Sequence, residues 1–72
     1  MTAFGYIDIL TVDEIIEVKE GRLWKHALGQ ILAYSDAYPE HKKIIWLFDI
    51  EINPDIEKIC TKHNVEVRYY NE

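Results

Sequence analysis

Residues 43–48 read KIIWLF: after one lysine, five apolar side chains follow without a break. Side chains on a strand alternate between two faces, so an uninterrupted apolar run this short asks for cover on both sides. The run is too short for a helix of its own, and it carries the β-branched and aromatic residues that fit a pleated surface. It therefore predicts an interior strand with other elements beside and above it. The whole chain has 72 residues, with no repeat, low-complexity stretch or linker, so it is read as one domain spanning 1–72. A core of that size lies near the lower limit at which burial outweighs chain entropy unaided.

Two shorter runs precede it. Residues 5–10 (GYIDIL) and 14–19 (EIIEVK) are rich in strand-forming residues and are separated only by the stretch around Val12-Asp13. An antiparallel hairpin follows from so short a connection. Val12-Asp13 lacks the Asn-Gly or Gly that two-residue turns prefer, which leaves the register open by a residue or two. From Arg22 to Tyr38 the period changes. Leu23, Ala27, Ile31 and Tyr34 recur at helical steps, with Trp24, Leu28 and Leu32 widening the stripe, Gly21 ahead of it and Pro39 stopping it. After KIIWLF, Asn53-Pro54 offers an N-cap and a first-turn proline. Asp55 and Glu57 follow at the positive helix end, and Ile56, Ile59 and Cys60 form a buried stripe up to about Asn64, which suits a left-handed cap. VEVRYY, 65–70, alternates as a final strand. The order ββαβαβ predicts an α/β fold: a mixed four-stranded sheet with two helices, in which the last three elements make a right-handed crossover.

The single cysteine, Cys60, allows no internal disulfide, and Cys60 with His63 falls short of a four-ligand zinc site. Self-association into a homo-oligomer is the remaining source of stabilisation. With 49% hydrophobic content and nine aromatics the chain is read as a folded globule. It shows no basic n-region at its start and no run long enough to span a bilayer, so it is expected off the membrane, in the cytoplasm or nucleus and not secreted. The formal net charge of -5 disfavours gripping nucleic acid by charge alone. If the chain handles a polyanion, its acidic groups need a role, and divalent metal binding is the usual one.

"IDILTVDEIIEVK" supplies candidates. Glu17 and Lys19 fall on one face of their strand, with Ile16 and Val18 on the other. If Thr11 faces Glu14, Asp8 lies across from Glu17, at a spacing where like charges destabilise. A cation between them relieves that. Mg²⁺ or Mn²⁺ takes carboxylate oxygens and water, polarises a phosphoryl oxygen and activates bound water. Lys19, one step further along, is placed to orient or deprotonate that water or to neutralise phosphate charge.

Asp8, the eight-residue gap and Glu17-Val18-Lys19 on adjoining strands resemble the PD-(D/E)XK nuclease superfamily, the restriction-endonuclease-like fold. Gln30-Ile31-Leu32-Ala33-Tyr34 on the following helix is similar to the QxxxY element of its RecB-like and lambda-exonuclease-like branches. The helix WKHALGQILAY and the apolar strand after it also resemble small nuclease-like domains of mobile elements and large DNA viruses. The resemblance covers most of the first half of the chain. It implies a minimal restriction-endonuclease-like domain that hydrolyses phosphodiesters of nucleic acid, DNA foremost, with Mg²⁺ or Mn²⁺. By the same resemblance Asp8, Glu17 and the Val18 carbonyl hold the metal, Lys19 assists the attacking water, and Gln30 and Tyr34 position the strand or the catalytic side chains. The competing reading is an inactive, nuclease-derived binding or assembly module.

Plainer readings exist for the same residues. Glu17 and Lys19 taken alone fit a solvated strand face with a weak ion pair. Gln30 and Tyr34 fit ordinary packing with a tyrosine hydroxyl at the rim, and His26, one turn before Gln30, fits an exposed histidine. Trp24 and Trp46 are read as core or interface aromatics. Cys60-x-x-His63 and the second acidic-x-Lys triplet, Glu40-His41-Lys42, are read as accidents of spacing, and Lys42, Lys43, Lys58, Lys62 and Arg68 form no stripe.

Overall fold

The poor hairpin turn is closed by a side chain. Thr11 Oγ1 accepts from the Glu14 amide at 2.9 Å, and the Thr11 amide donates to the Glu14 carbonyl at 2.9 Å. With that turn fixed, β1 (Ile9–Leu10) and β2 (Glu14–Glu20) pair antiparallel, Ile9 opposite Ile16 and Leu10 opposite Ile15. That register is the one expected from Thr11 facing Glu14. The computed structural model describes residues 9–70. Most of the strand expected over 5–10, and Asp8 with it, lies outside the described residues.

β2 passes through a 3-10 turn, Gly21–Leu23, into α1 (Trp24–Ser35). The helix is three residues shorter at its end than the apolar period predicts. The amides of Asp36, Ala37 and Tyr38 donate three residues back, to Ala33, Tyr34 and Ser35, so the chain tightens before Pro39. A residue preceding proline is sterically pushed away from helical backbone, and here that residue is Tyr38. β3 (Lys42–Phe48) then runs parallel to β2, and α2 (Pro54–Lys62) leads to β4 (Val65–Tyr70), parallel to β3. Asn53 caps α2 by accepting from the Asp55 amide at 3.0 Å, and Asn64 takes the left-handed backbone, φ 59°. Asp49, φ 56°, makes a second left-handed turn just after β3.

The sheet order is β1-β2-β3-β4, a mixed four-stranded sheet with two helices. Ile15, Ile45, Leu47 and Val65 share one sheet face and pack with Ala27, Leu28, Ile31 and Tyr34 of α1 and with Ile56 and Cys60 of α2. Both helices therefore lie on the same face. KIIWLF is apolar on both sides as expected, but the cover is unequal. On the other face Ile16 and Ile44 are buried, Trp46 is half-buried, and Phe48 and Tyr70 are exposed, with Trp46 and Tyr70 edge to face at 6.1 Å. Leu23 and Ile59, expected in the buried helix stripes, are each 37% exposed: Leu23 falls in the 3-10 turn before α1, off the helical period, and Ile59 lies outside the arc of α2 that faces the sheet. Among the described residues no helix is long and apolar enough to cross a membrane.

Candidate active site

Alternation along β2 decides which of its side chains meet the helices. Ile15 belongs to the core beneath α1, so Glu17 and Lys19 share its face, while Ile16 and Val18 point the other way. Across the parallel ladder, Glu17 lies beside Ile45 and Lys19 beside Leu47. The solvated strand face is thereby overturned for Glu17. It is 2% exposed, the one charged side chain that is buried among the described residues, and Lys19 beside it is half-buried. A carboxylate removed from water costs several kcal/mol unless a cation or hydrogen bonds compensate, so its burial needs a chemical reason.

The facing layer is α1, which packs on β2 and β3. Its buried stripe runs through Ala27, Ile31 and Tyr34. Tyr34 is core rather than rim, at 7% exposure. Gln30 flanks that stripe. Its side chain is half-buried, and its Oε1 is buried with no hydrogen-bond partner among the described residues. An amide oxygen left so costs about 1–3 kcal/mol. Glu17 is thus a buried polar side chain on the helix-facing side of β2, with Lys19 further along the strand, and the half-buried Gln30 on α1 adds a buried amide oxygen. His26, one turn before Gln30, is exposed.

Of the expected site residues, Glu17 and Lys19 lie on the helix-facing side of β2, Tyr34 packs into the core from α1, and Gln30 is half-buried on the same helix. Val18 points its side chain to the opposite face, and only its backbone remains available on that strand. Asp8 lies outside the described residues, and its place opposite Glu17 remains an expectation from the hairpin register. Among the described residues no group of three or more His, Cys, Asp and Glu stands close enough to hold a metal ion. A hard, oxygen-preferring cation such as Mg²⁺ or Mn²⁺ takes carboxylate oxygens, and Glu17 is the buried carboxylate on this face among the described residues. A second carboxylate is still required, and Asp8 is the one the register names. Cys60 and His63 touch through the backbone, the His63 amide donating to the Cys60 carbonyl at 2.9 Å, while the Cys60 thiol is buried, which pushes it up, and His63 is exposed.

Three features escaped the sequence reading. Gly21 is packed against Ile50 so closely that a Cβ there would overlap it. The Tyr69 hydroxyl donates to the Asn53 carbonyl and accepts from the Asn53 amide, both at 3.2 Å, tying β4 to the start of α2. Lys42 and Arg68, two of the residues read as dispersed, converge on Glu66 at 3.0 Å and 2.5 Å. Lys42 first, and Arg68 after it, hold the Glu66 carboxyl below the usual carboxylate range. The alternation Glu66-Val67-Arg68 was a readable signal for half of that cluster.

No protein-family model matches the chain, and no solved structure matches it. Three proteins of Acanthamoeba polyphaga mimivirus, each named as containing a KilA-N domain, are similar in sequence. Protein L33 is 43% identical over 72 residues, covering 97% of this chain and 29% of that protein. Protein R878 is 42% identical over 72 residues, covering 97% of this chain and 20% of that protein. Protein L32 is 53% identical over 58 residues, covering 81% of this chain and 16% of that protein. The chain spans less than a third of the length of each of these viral relatives.

Proposed function

We propose that this chain is a minimal PD-(D/E)XK-type nuclease domain that hydrolyses phosphodiesters of nucleic acid, DNA foremost, with Mg²⁺ or Mn²⁺. The observation that supports this reading most is the burial of Glu17 at 2% exposure on the helix-facing side of β2, beneath the helix that carries the unsatisfied Gln30 oxygen. Asp8 and Glu17, with the Val18 carbonyl, would hold the cation, which when bound supplies polarisation of a phosphoryl oxygen and a more acidic water. Lys19 shares the Glu17 face and would orient that water, accept its proton or neutralise phosphate charge. Gln30 and Tyr34, held on the rigid α1, would fix the position of the Glu17 and Lys19 side chains against the scissile phosphate.

A second reading is a nuclease-derived binding or assembly module. It is favoured by the net charge of -5 and by intrachain surface pairing of three of the eight Lys and Arg side chains, Arg22 with Glu20 and both Lys42 and Arg68 with Glu66. Such pairing reduces the positive charge offered to a polyanion. One experiment separates the two. Mn²⁺ is titrated while melting temperature and cleavage of single- and double-stranded DNA are followed, for the wild type, Asp8→Ala and Lys19→Ala. The nuclease reading expects metal-dependent stabilisation that Asp8→Ala removes and Lys19→Ala retains, with cleavage lowered about 10²- to 10⁴-fold by Lys19→Ala, the range for a lost proton-transfer group. Stabilisation without cleavage supports the assembly module, and cleavage equal in all three proteins refutes the nuclease.

A further inference from the structure

β4 is the last strand of the sheet, and β3 is the strand that pairs with it among the described residues. Its ladder with β3 is continuous from Val65 to Tyr70, without a bulge, and its sequence VEVRYY contains no proline. An outer strand of this kind presents a row of backbone donors and acceptors to whatever strand approaches, and neither a proline nor a bulge blocks that approach in β4. Its two charges, Glu66 and Arg68, lie on the face away from the helices and already satisfy each other.

We propose that β4 pairs antiparallel with β4 of a second copy of this chain, about a two-fold axis normal to the sheet, with Val67 facing Val67 across the axis. Such an axis keeps every side chain on its own sheet face, so only residues of like parity can stand opposite one another. Two registers then pair five residues of this six-residue strand. In one, centred on Val67, Glu66 stands opposite the partner's Arg68, and the same pair recurs on the other side of the axis. Val65 there meets the partner's Tyr69 on the helix-covered face. In the other, centred on Arg68, two guanidinium groups oppose each other at the axis and Glu66 meets the partner's Tyr70. Directly opposed unlike charges stabilise an antiparallel pair and like charges destabilise it, so the Val67 register is selected. The pairing does not require Lys42 to leave. Glu66 offers each carboxylate oxygen to one intrachain partner, and an ionised carboxylate has about four acceptor sites in all. The product is a continuous eight-stranded sheet with all helices on one face, and the small core gains the cover that its size calls for.

Sedimentation equilibrium on the chain tests this, with circular dichroism confirming that each variant is folded. The wild type is expected to dimerise reversibly within the micromolar range. Arg68→Glu and Glu66→Arg each place like charges opposite one another twice, and each is expected to weaken the dimer at least tenfold. An equimolar mixture of the two variants restores association as a heterodimer, because one carries glutamate at both positions and the other arginine at both. Val67→Cys should form a disulfide-linked dimer on mild oxidation, since position 67 faces itself across the axis. A wild type that remains monomeric at about 100 µM overturns the proposal. So does a dimer unaffected by both charge reversals, a mixture that fails to associate, or a Val67→Cys dimer that does not cross-link.

Discussion

Replacing Gly21 by alanine tests the joint on which the candidate site is built. Gly21 ends the run that carries Glu17 and Lys19 and starts the turn into the helix that carries Gln30. It is buried, and a Cβ added there would overlap the Cβ and Cγ2 of Ile50 and stand 2.8 Å from its Cδ1. The Ile50 Cβ is fixed to its backbone, so rotamer change cannot relieve the overlap, and either the loop after β3 or the start of α1 has to move. Overpacking of this kind costs about 1–3 kcal/mol, and the backbone-linked clash puts the expectation at about 2–3 kcal/mol. A domain of this length has a total stability of roughly 4–10 kcal/mol, so the loss is a large fraction. With about 4–8 °C per kcal/mol for a domain of this size, melting should fall by about 10–20 °C. Gly29→Ala is the control. Nothing lies within 4 Å of a Cβ at Gly29, which is exposed inside α1, so alanine there should stabilise by about 0.5–1 kcal/mol. Urea denaturation of the three proteins reads both effects through the midpoint at constant slope. If Gly21→Ala unfolds within about 0.5 kcal/mol of the wild type, the close approach of Ile50 is not a constraint on the fold, and the argument fails.

Asn53→Ala should cost about 1 kcal/mol by removing the α2 cap, while Asn53→Asp, which can still accept from the Asp55 amide, should keep most of it; equal melting temperatures for wild type and Asn53→Ala would contradict the cap. Glu66 makes stability acid-sensitive. Its folded-state carboxyl titrates below the usual range because of Lys42 and Arg68, so its contribution is present above the unfolded-state range and is lost as pH falls through the lowered value. Glu66→Gln should therefore show a shallower loss of stability on acidification than the wild type, and parallel curves would refute the linkage.

How far the sequence foretold this arrangement depends on how local each feature is. The hairpin was legible from its short connection, but its register stayed open by a residue or two because Val12-Asp13 is a poor turn and the Thr11 side chain that closes it on Glu14 is a detail of the folded loop; the Asn53-Pro54 start and Asn64 end of α2 were legible as local backbone chemistry. The end of α1 was misjudged because the apolar period runs on to Tyr38, whereas the steric demand of Pro39 tightens the backbone from Asp36. Ile59 was misplaced because periodicity reports which residues are apolar, not how wide an arc the sheet covers, and Leu23 because the 3-10 turn Gly21–Leu23 breaks the helical period before α1 begins. The Lys42–Glu66–Arg68 cluster needed the parallel ladder in which β4 follows β3, a pairing fixed only after α2 has crossed over. Tyr69 on Asn53 has the same origin.

For the candidate site the division is sharper. That Glu17 and Lys19 share a face follows from strand alternation alone. Which face the helices cover is a tertiary outcome, and it turns an ordinary surface pair into a buried carboxylate. Stability alone would favour an apolar residue there, since Ile15 precedes it on the same face and Ile45 lies beside it in the ladder. Gln30 violates the same logic from the opposite layer, carrying a buried amide oxygen on the flank of a stripe of alanine, isoleucine and tyrosine. One such violation is tolerable as a local accident. Glu17 and Gln30 lie on elements that pack together, and each puts a polar atom where an apolar side chain would pack as readily. That conflict between local packing and residue choice is visible only in the folded chain, whereas the motif spacing is already carried by the strand and helix in the sequence.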